Sequence, residues 1–175
     1  EEIHSNIINK IDYEIGSEVI IGNKLQNNDG SYKLSLNYID LGKEILDRET
    51  KKNYLFDKVV YDSNIEKDVI VNDFEKIDGN NITVFAKLPR INIPTPYKTY
   101  NPDFGYLINR KDREKQLFLI VETKGYDREN DIPDDEKRKI EYAKRFFKKL
   151  QESLPNIDIK YVSRIKGEEL FDIVK

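Results

Sequence analysis

Two short apolar runs, the second ending on an acid and a lysine, most constrain what this chain can fold into. Residues 104–108 (Phe-Gly-Tyr-Leu-Ile) and 117–121 (Leu-Phe-Leu-Ile-Val) are bounded by polar and turn residues. They read as two strands joined by a hairpin loop over 109–116. Side chains alternate faces along a strand, so Glu122 and Lys124 project the same way. Asp103 opens the first strand and can sit beside Glu122 across the ladder. A charged pair closing so apolar a strand is costly unless it has work to do. The spacing therefore predicts two carboxylates and one ammonium at one end of a sheet.

That constellation has chemical content. Two neighbouring carboxylates resist ionising together in water-poor surroundings, and a divalent cation relieves the repulsion. Hard oxygen ligands select Mg²⁺, which keeps several waters and takes one or two protein carboxylates plus substrate phosphate oxygens. A lysine beside such an ion can hold or activate the attacking water and balance charge on the phosphate. The residues read as a site for metal-assisted phosphodiester hydrolysis. The bland alternatives are a Pro-Asp turn and a solvated strand edge.

The flanking residues extend the pattern. Ala86-Lys87-Leu88-Pro89-Arg90, Ile93-Pro94-Thr95-Pro96, Thr99-Tyr100-Asn101-Pro102-Asp103-Phe104 and Val121-Glu122-Thr123-Lys124-Gly125 follow in that order. This string resembles the C-terminal endonuclease domain of the restriction (Res) subunit of type III restriction–modification systems, within the PD-(D/E)xK nuclease superfamily. The resemblance covers roughly residues 57–165. It implies an α/β fold with a restriction-endonuclease-like core, a mixed central sheet flanked by helices. It also implies a Mg²⁺-dependent deoxyribonuclease, with Mn²⁺ able to substitute, acting on double-stranded DNA. Asp103 and Glu122 would be metal ligands, the Thr123 backbone carbonyl a third, and Lys124 the residue that orients or activates water. Partners implied in the same way are a methyltransferase (Mod) subunit and a helicase part of the Res chain, the only part that would use ATP. A non-cutting docking or DNA-clamping domain of the same fold, or another helicase-linked repair nuclease, remain open as rival readings.

Composition bounds the rest. At 175 residues the chain is long enough for one real core. Charged residues make up 36% and no apolar run approaches a membrane span, so a cytoplasmic protein is expected. The absence of cysteine excludes disulfides and thiolate metal sites. The single histidine, His4, reads as an ordinary surface residue. There is no methionine, which points to a piece of something longer, and no Gly-x-x-x-x-Gly-Lys-Ser/Thr loop, so this piece should not hydrolyse ATP. A net charge of −3 is unlike a free-standing tight DNA binder, so the domain is expected to rely on its parent to hold DNA.

Taken in order, residues 1–56 read as an extension and 57–175 as the endonuclease domain. Within the extension, runs at 17–23 and 31–38 around Asp29-Gly30 suggest a hairpin, and 39–48 a short helix. Ser63 and Glu66 have capping-box spacing at the head of a helix over 63–77. Glu66 also falls within the Ile70, Phe74 and Ile77 arc. It either closes the cap, worth about 1 kcal/mol, or serves as an auxiliary catalytic acid, a position where the superfamily often has one. Residues 82–88 alternate as a flanking strand, with Ile82, Val84, Ala86 and Leu88 opposite Thr83, Phe85 and Lys87. Residues 89–102 hold four of the six prolines and read as extended; their Arg90, Lys98 and Tyr100 are candidates for touching the DNA backbone. Residues 125–132 form a charged loop, and Pro133 starts a helix to about Ser153 with Ile140, Ala143, Phe146, Phe147 and Leu150 on one face. Its many cations read as a solvated face, with Lys139 the best DNA-contact candidate. A last strand at 157–162 and a helical turn at 168–174 close the chain.

Overall fold

The computed structural model describes residues 12–13, 44–46, 53–56, 58–76, 82–88, 93–96, 98–109 and 117–173. The elements are β1 (Glu44–Ile45), β2 (Val60–Tyr61), α1 (Asn64–Lys76), β3 (Ile82–Lys87), β4 (Phe104–Ile108), β5 (Leu117–Lys124), a 3₁₀ turn (Glu129–Asp131), α2 (Asp134–Ser153), β6 (Asp158–Ile165) and α3 (Leu170–Ile173). Four strands form the main sheet in the order β3-β4-β5-β6. The first two pairings are antiparallel and β5 runs parallel to β6. A parallel pair requires a crossover, and α2 supplies it. The result is the mixed, helix-flanked α/β sheet that the sequence predicts.

Alternation along the strands sends consecutive side chains to two cores. Phe85, Phe104, Tyr106, Leu119 and Val121 pack with Ile70 of α1 and Leu170 of α3. Ile120, Ile159 and Tyr161 pack on the other face against Ala143 and Phe147 of α2. The rings of Phe147 and Tyr161 stack with centroids 5.3 Å apart. Tyr142, absent from the expected apolar stripe, is buried as well.

Three elements differ from the sequence reading. Within 39–48, Glu44–Ile45 is a strand paired antiparallel with β2, in place of part of a short helix; a partner strand overrides a weak local propensity. The strand β6 runs on to Ile165, because parallel pairing with β5 continues from Leu117↔Asp158 to Lys124↔Ile165. In β3 the register shifts between Ile82 and Val84, and Phe85 and Lys87 are buried although the alternation set them on the polar face. Tyr54, assigned to the extension, lies in the core and bridges Phe85, with Leu55 N–H donating to Phe85 O at 3.0 Å. A division at residue 57 thus cuts through packed structure. The hairpin expected at 17–38 lies outside the described residues, as do His4 and Arg90.

Candidate active site

The site forms where β4 and β5 begin and end side by side. Antiparallel pairing sets Phe104 against Val121, and Asp103 N–H donates to Val121 O at 3.2 Å. Asp103 therefore enters the strand opposite the start of the Glu-Thr-Lys sequence. Its Oδ2 accepts the Thr123 backbone N–H at 2.7 Å, which fixes the carboxylate across the end of β5. Glu122 is buried at 6% exposure, and its Oε1 meets Lys124 Nζ at 2.6 Å. The other oxygen, Oε2, is buried and accepts no hydrogen bond among the described residues. Such an orphan carboxylate oxygen is expensive.

The electrostatics describe an unfinished site. Burial, the Glu122 carboxylate beside it and Glu66 beyond push Asp103 well above the usual carboxylate range, against the Thr123 N–H bond and the Lys124 charge. Burial also raises Glu122, against the opposing pull of Lys124 and of the Tyr100 hydroxyl. Two carboxylates that each resist ionisation have too little positive charge around them. Among the described residues no three acidic or histidine side chains gather closely enough to ligate one ion. The protein thus offers two carboxylates and a buried, partnerless oxygen, a donor set that suits a hard cation keeping most of its waters.

Burial by itself would lower the Lys124 pKa, but the carboxylates of Glu122 and Glu136 more than offset it and hold the ammonium up. Glu136, in the first turn of α2, reaches Lys124 Nζ at 2.6 Å. Its other oxygen pairs with Lys139. Burial would raise Glu136, yet the two ammonium groups hold it below the usual range. An acid in a first helical turn ordinarily reads as a partner of the helix dipole, so nothing in the sequence singled Glu136 out.

Glu66 makes the capping contacts. Its N–H donates to Ser63 Oγ at 3.3 Å, and its Oε2 accepts the Asp62 N–H at 3.1 Å in place of the cap residue's own N–H. The same oxygen pairs with Lys87, a 4%-exposed lysine whose Nζ also meets Asp62 Oδ2 at 2.8 Å. Glu66 is thus within electrostatic reach of Asp103 but is held by Lys87, and it does not join the carboxylate pair. Sequence reading missed Lys87 because an alternating strand with a register shift assigns it to the wrong face.

Two expected DNA-contact residues are turned inward or paired. Tyr100 is 3% exposed; its hydroxyl meets that of Tyr161 next to the Glu122 carboxylate, so it faces inward. Lys139 is turned onto Glu136 and is not presented outward as an uncompensated cation. The Tyr100 position follows from Ile93 and Tyr100 exchanging backbone bonds at 2.8 and 2.9 Å, which pins the proline-rich segment against α2. Gly125, directly after Lys124, has Ile65 against it: a Cβ there would drive into that side chain.

A mixed sheet with paired carboxylates and a lysine at the end of adjacent strands defines a restriction-endonuclease-like α/β domain. The chain belongs to the endonuclease domain family, whose family model matches residues 52–167. It is similar to the Res subunit of the type III restriction-modification enzyme EcoP15I of Escherichia coli, 29% identical over 181 aligned positions. It is also similar, at 28%, to the EcoPI Res subunit of Escherichia phage P1. Both alignments cover 98% of this chain and 17% of the relative, so the chain spans about a sixth of these relatives' length. No solved structure matches it. It is an endonuclease domain homologous to those subunits.

Proposed function

We propose that this chain is the Mg²⁺-dependent nuclease domain of a type III Res-like restriction enzyme and hydrolyses phosphodiester bonds in double-stranded DNA. The observation that carries the reading is the juxtaposition of Asp103 and Glu122, both short of positive charge, with Lys124 paired to one Glu122 oxygen and the other oxygen free. A bound Mg²⁺ or Mn²⁺ would neutralise the two acids and polarise the scissile phosphate. Asp103 and Glu122 would hold that ion, with the Thr123 carbonyl as a third donor. Thr123 N–H fixes the Asp103 carboxylate across the end of β5. Lys124 orients the attacking water and steadies the negative charge that builds on the phosphate oxygens. Glu66 acts from one remove, adding negative charge near Asp103 while Lys87 anchors it. Cleavage leaves a 5′-phosphate, and one site cuts one strand. A Mod-type methyltransferase and a helicase part, the user of ATP, complete the assembly in this proposal.

In the full-length protein, Asp103→Ala and Lys124→Ala should each lower Mg²⁺-dependent nicking of supercoiled DNA by about 100-fold or more. Calorimetry should show Mn²⁺ binding that Glu122→Gln removes. Nicking that survives both alanine variants unchanged would overturn the assignment, whereas metal-independent DNA retention without cutting would favour a clamping domain.

A further inference from the structure

Lys124 is gripped from two elements. Glu122, two residues away on β5, holds its Nζ at 2.6 Å, and Glu136, twelve residues away on α2, holds it at 2.6 Å from the other side. We propose that Glu136 is a positioning residue that sets where the Lys124 ammonium sits during DNA cleavage, with Lys139 locking Glu136 in turn; this rests on the nuclease reading above.

The reason lies in what would follow if Glu122 engaged a cation. Its hold on Lys124 would weaken, because one carboxylate would then serve two cations. Lysine has a flexible four-carbon stem with many rotamers, so a lysine left with one shared partner samples many positions. Glu136 is the second anchor. Both its oxygens are engaged, Oε2 with Lys124 and Oε1 with Lys139, so the carboxylate cannot rotate away without breaking a pair. The helix beneath it is fixed to the sheet by Ile140, Ala143 and Phe147, all buried. The chain of charges Glu122–Lys124–Glu136–Lys139 therefore ties the end of β5 to the start of α2 across the intervening loop 125–133. An ordinary i,i+3 surface pair between Glu136 and Lys139 would stabilise α2 only slightly and leave Lys124 untouched. The shared carboxylate is what separates the two cases.

The test uses the full-length protein. Glu136→Gln keeps the side-chain shape and removes the charge. It should lower kcat for nicking by about 100-fold, the scale of a misplaced catalytic group, while the Mg²⁺ concentration for half-maximal rate moves by less than about twofold. In the metal-free protein, acylation of Lys124 by an N-hydroxysuccinimide ester, followed by peptide mass spectrometry, should speed up several-fold in Glu136→Gln. Glu141→Gln, on the exposed side of the same helix and paired with Arg145, should change neither readout. Lys139→Met, which frees one Glu136 oxygen but keeps the carboxylate, should show the same pattern in smaller degree, and it serves if Glu136→Gln does not fold. Unchanged kcat together with unchanged Lys124 acylation overturns the proposal. So does a parallel shift of kcat and Mg²⁺ requirement, which would mean that Glu136 acts on the ion. Lys124→Ala in the same assay separates the two levels: if it cleaves normally the nuclease reading falls, and if it is inactive while Glu136→Gln cleaves normally only this inference falls.

Discussion

At the scale of single residues, the site is a set of charges that the fold leaves unbalanced. Asp103 and Glu122 have folded-state pKa values raised above their ordinary ones by burial and by each other or their neighbours. A group raised in this way binds its proton more readily in the native state than in the unfolded chain. Stability is then greatest below the unfolded pKa and is lost as pH rises through the folded one. Without divalent cations, the melting temperature should therefore rise as pH is lowered from neutrality toward the ordinary carboxylate range. Asp103→Asn should remove much of that slope, and saturating Mg²⁺ should flatten it in the wild type. Glu136, held below its usual range, contributes in the opposite sense, and only where pH falls below that range. Differential scanning calorimetry of both proteins across the range decides the matter. A wild-type slope that Asp103→Asn leaves intact would mean that other carboxylates dominate.

At the scale of elements, the site depends on α1 and β6 being fixed to the same sheet. A buried network does this. Arg164 of β6 donates to both Asp73 oxygens at 3.0 Å, and Tyr106 of β4 donates to Asp73 Oδ2 at 2.6 Å. Arg164 Nε also donates to Glu168 O at 2.6 Å, tying in the turn before α3. Asp73 and Arg164 are 2% and 4% exposed, so neither charge has water as a substitute partner. Arg164→Met should cost about 3–5 kcal/mol, because it strands Asp73 as a buried unpaired acid. The double variant with Asp73→Leu should recover part of the loss. Urea denaturation measures both, and losses that simply add would show that the two residues do not act as a pair. None of this was legible beforehand. Asp73 and Arg164 lie 91 positions apart, so no local pattern in the sequence pairs them.

At the scale of the whole molecule, the net charge of −3 weighs against tight binding to a polyanion such as DNA. Among the described residues, Lys87, Lys124, Lys139 and Arg164 are all paired with acids, which leaves less cationic surface for phosphates than the count of basic residues suggests. The isolated 175-residue chain should bind duplex DNA weakly, with a shallow dependence of log K on log salt. A protein making many phosphate contacts has a slope near −0.9 per contact. Any cutting by the isolated chain should appear as nicks before double-strand breaks, since each site addresses one strand. A steep salt slope in fluorescence-anisotropy titrations would show that the domain holds DNA by itself.

What the sequence determined alone was local in kind. The hairpin of Phe104–Ile108 and the following strand, the helix after Pro133, and the shared projection of Glu122 and Lys124 all follow from periodicity and turn chemistry. Those rules act within a few residues, so one chain suffices to read them. Only the tertiary structure decided that Tyr100 faces inward, that Lys87 holds Glu66, and that Glu136, itself paired with Lys139, closes on Lys124. Each of these depends on how a helix docks on a sheet or where a strand shifts register. Charge pairing across such distances leaves no periodic mark on the sequence, since an acid on a helix looks the same whether water or a buried ammonium meets it.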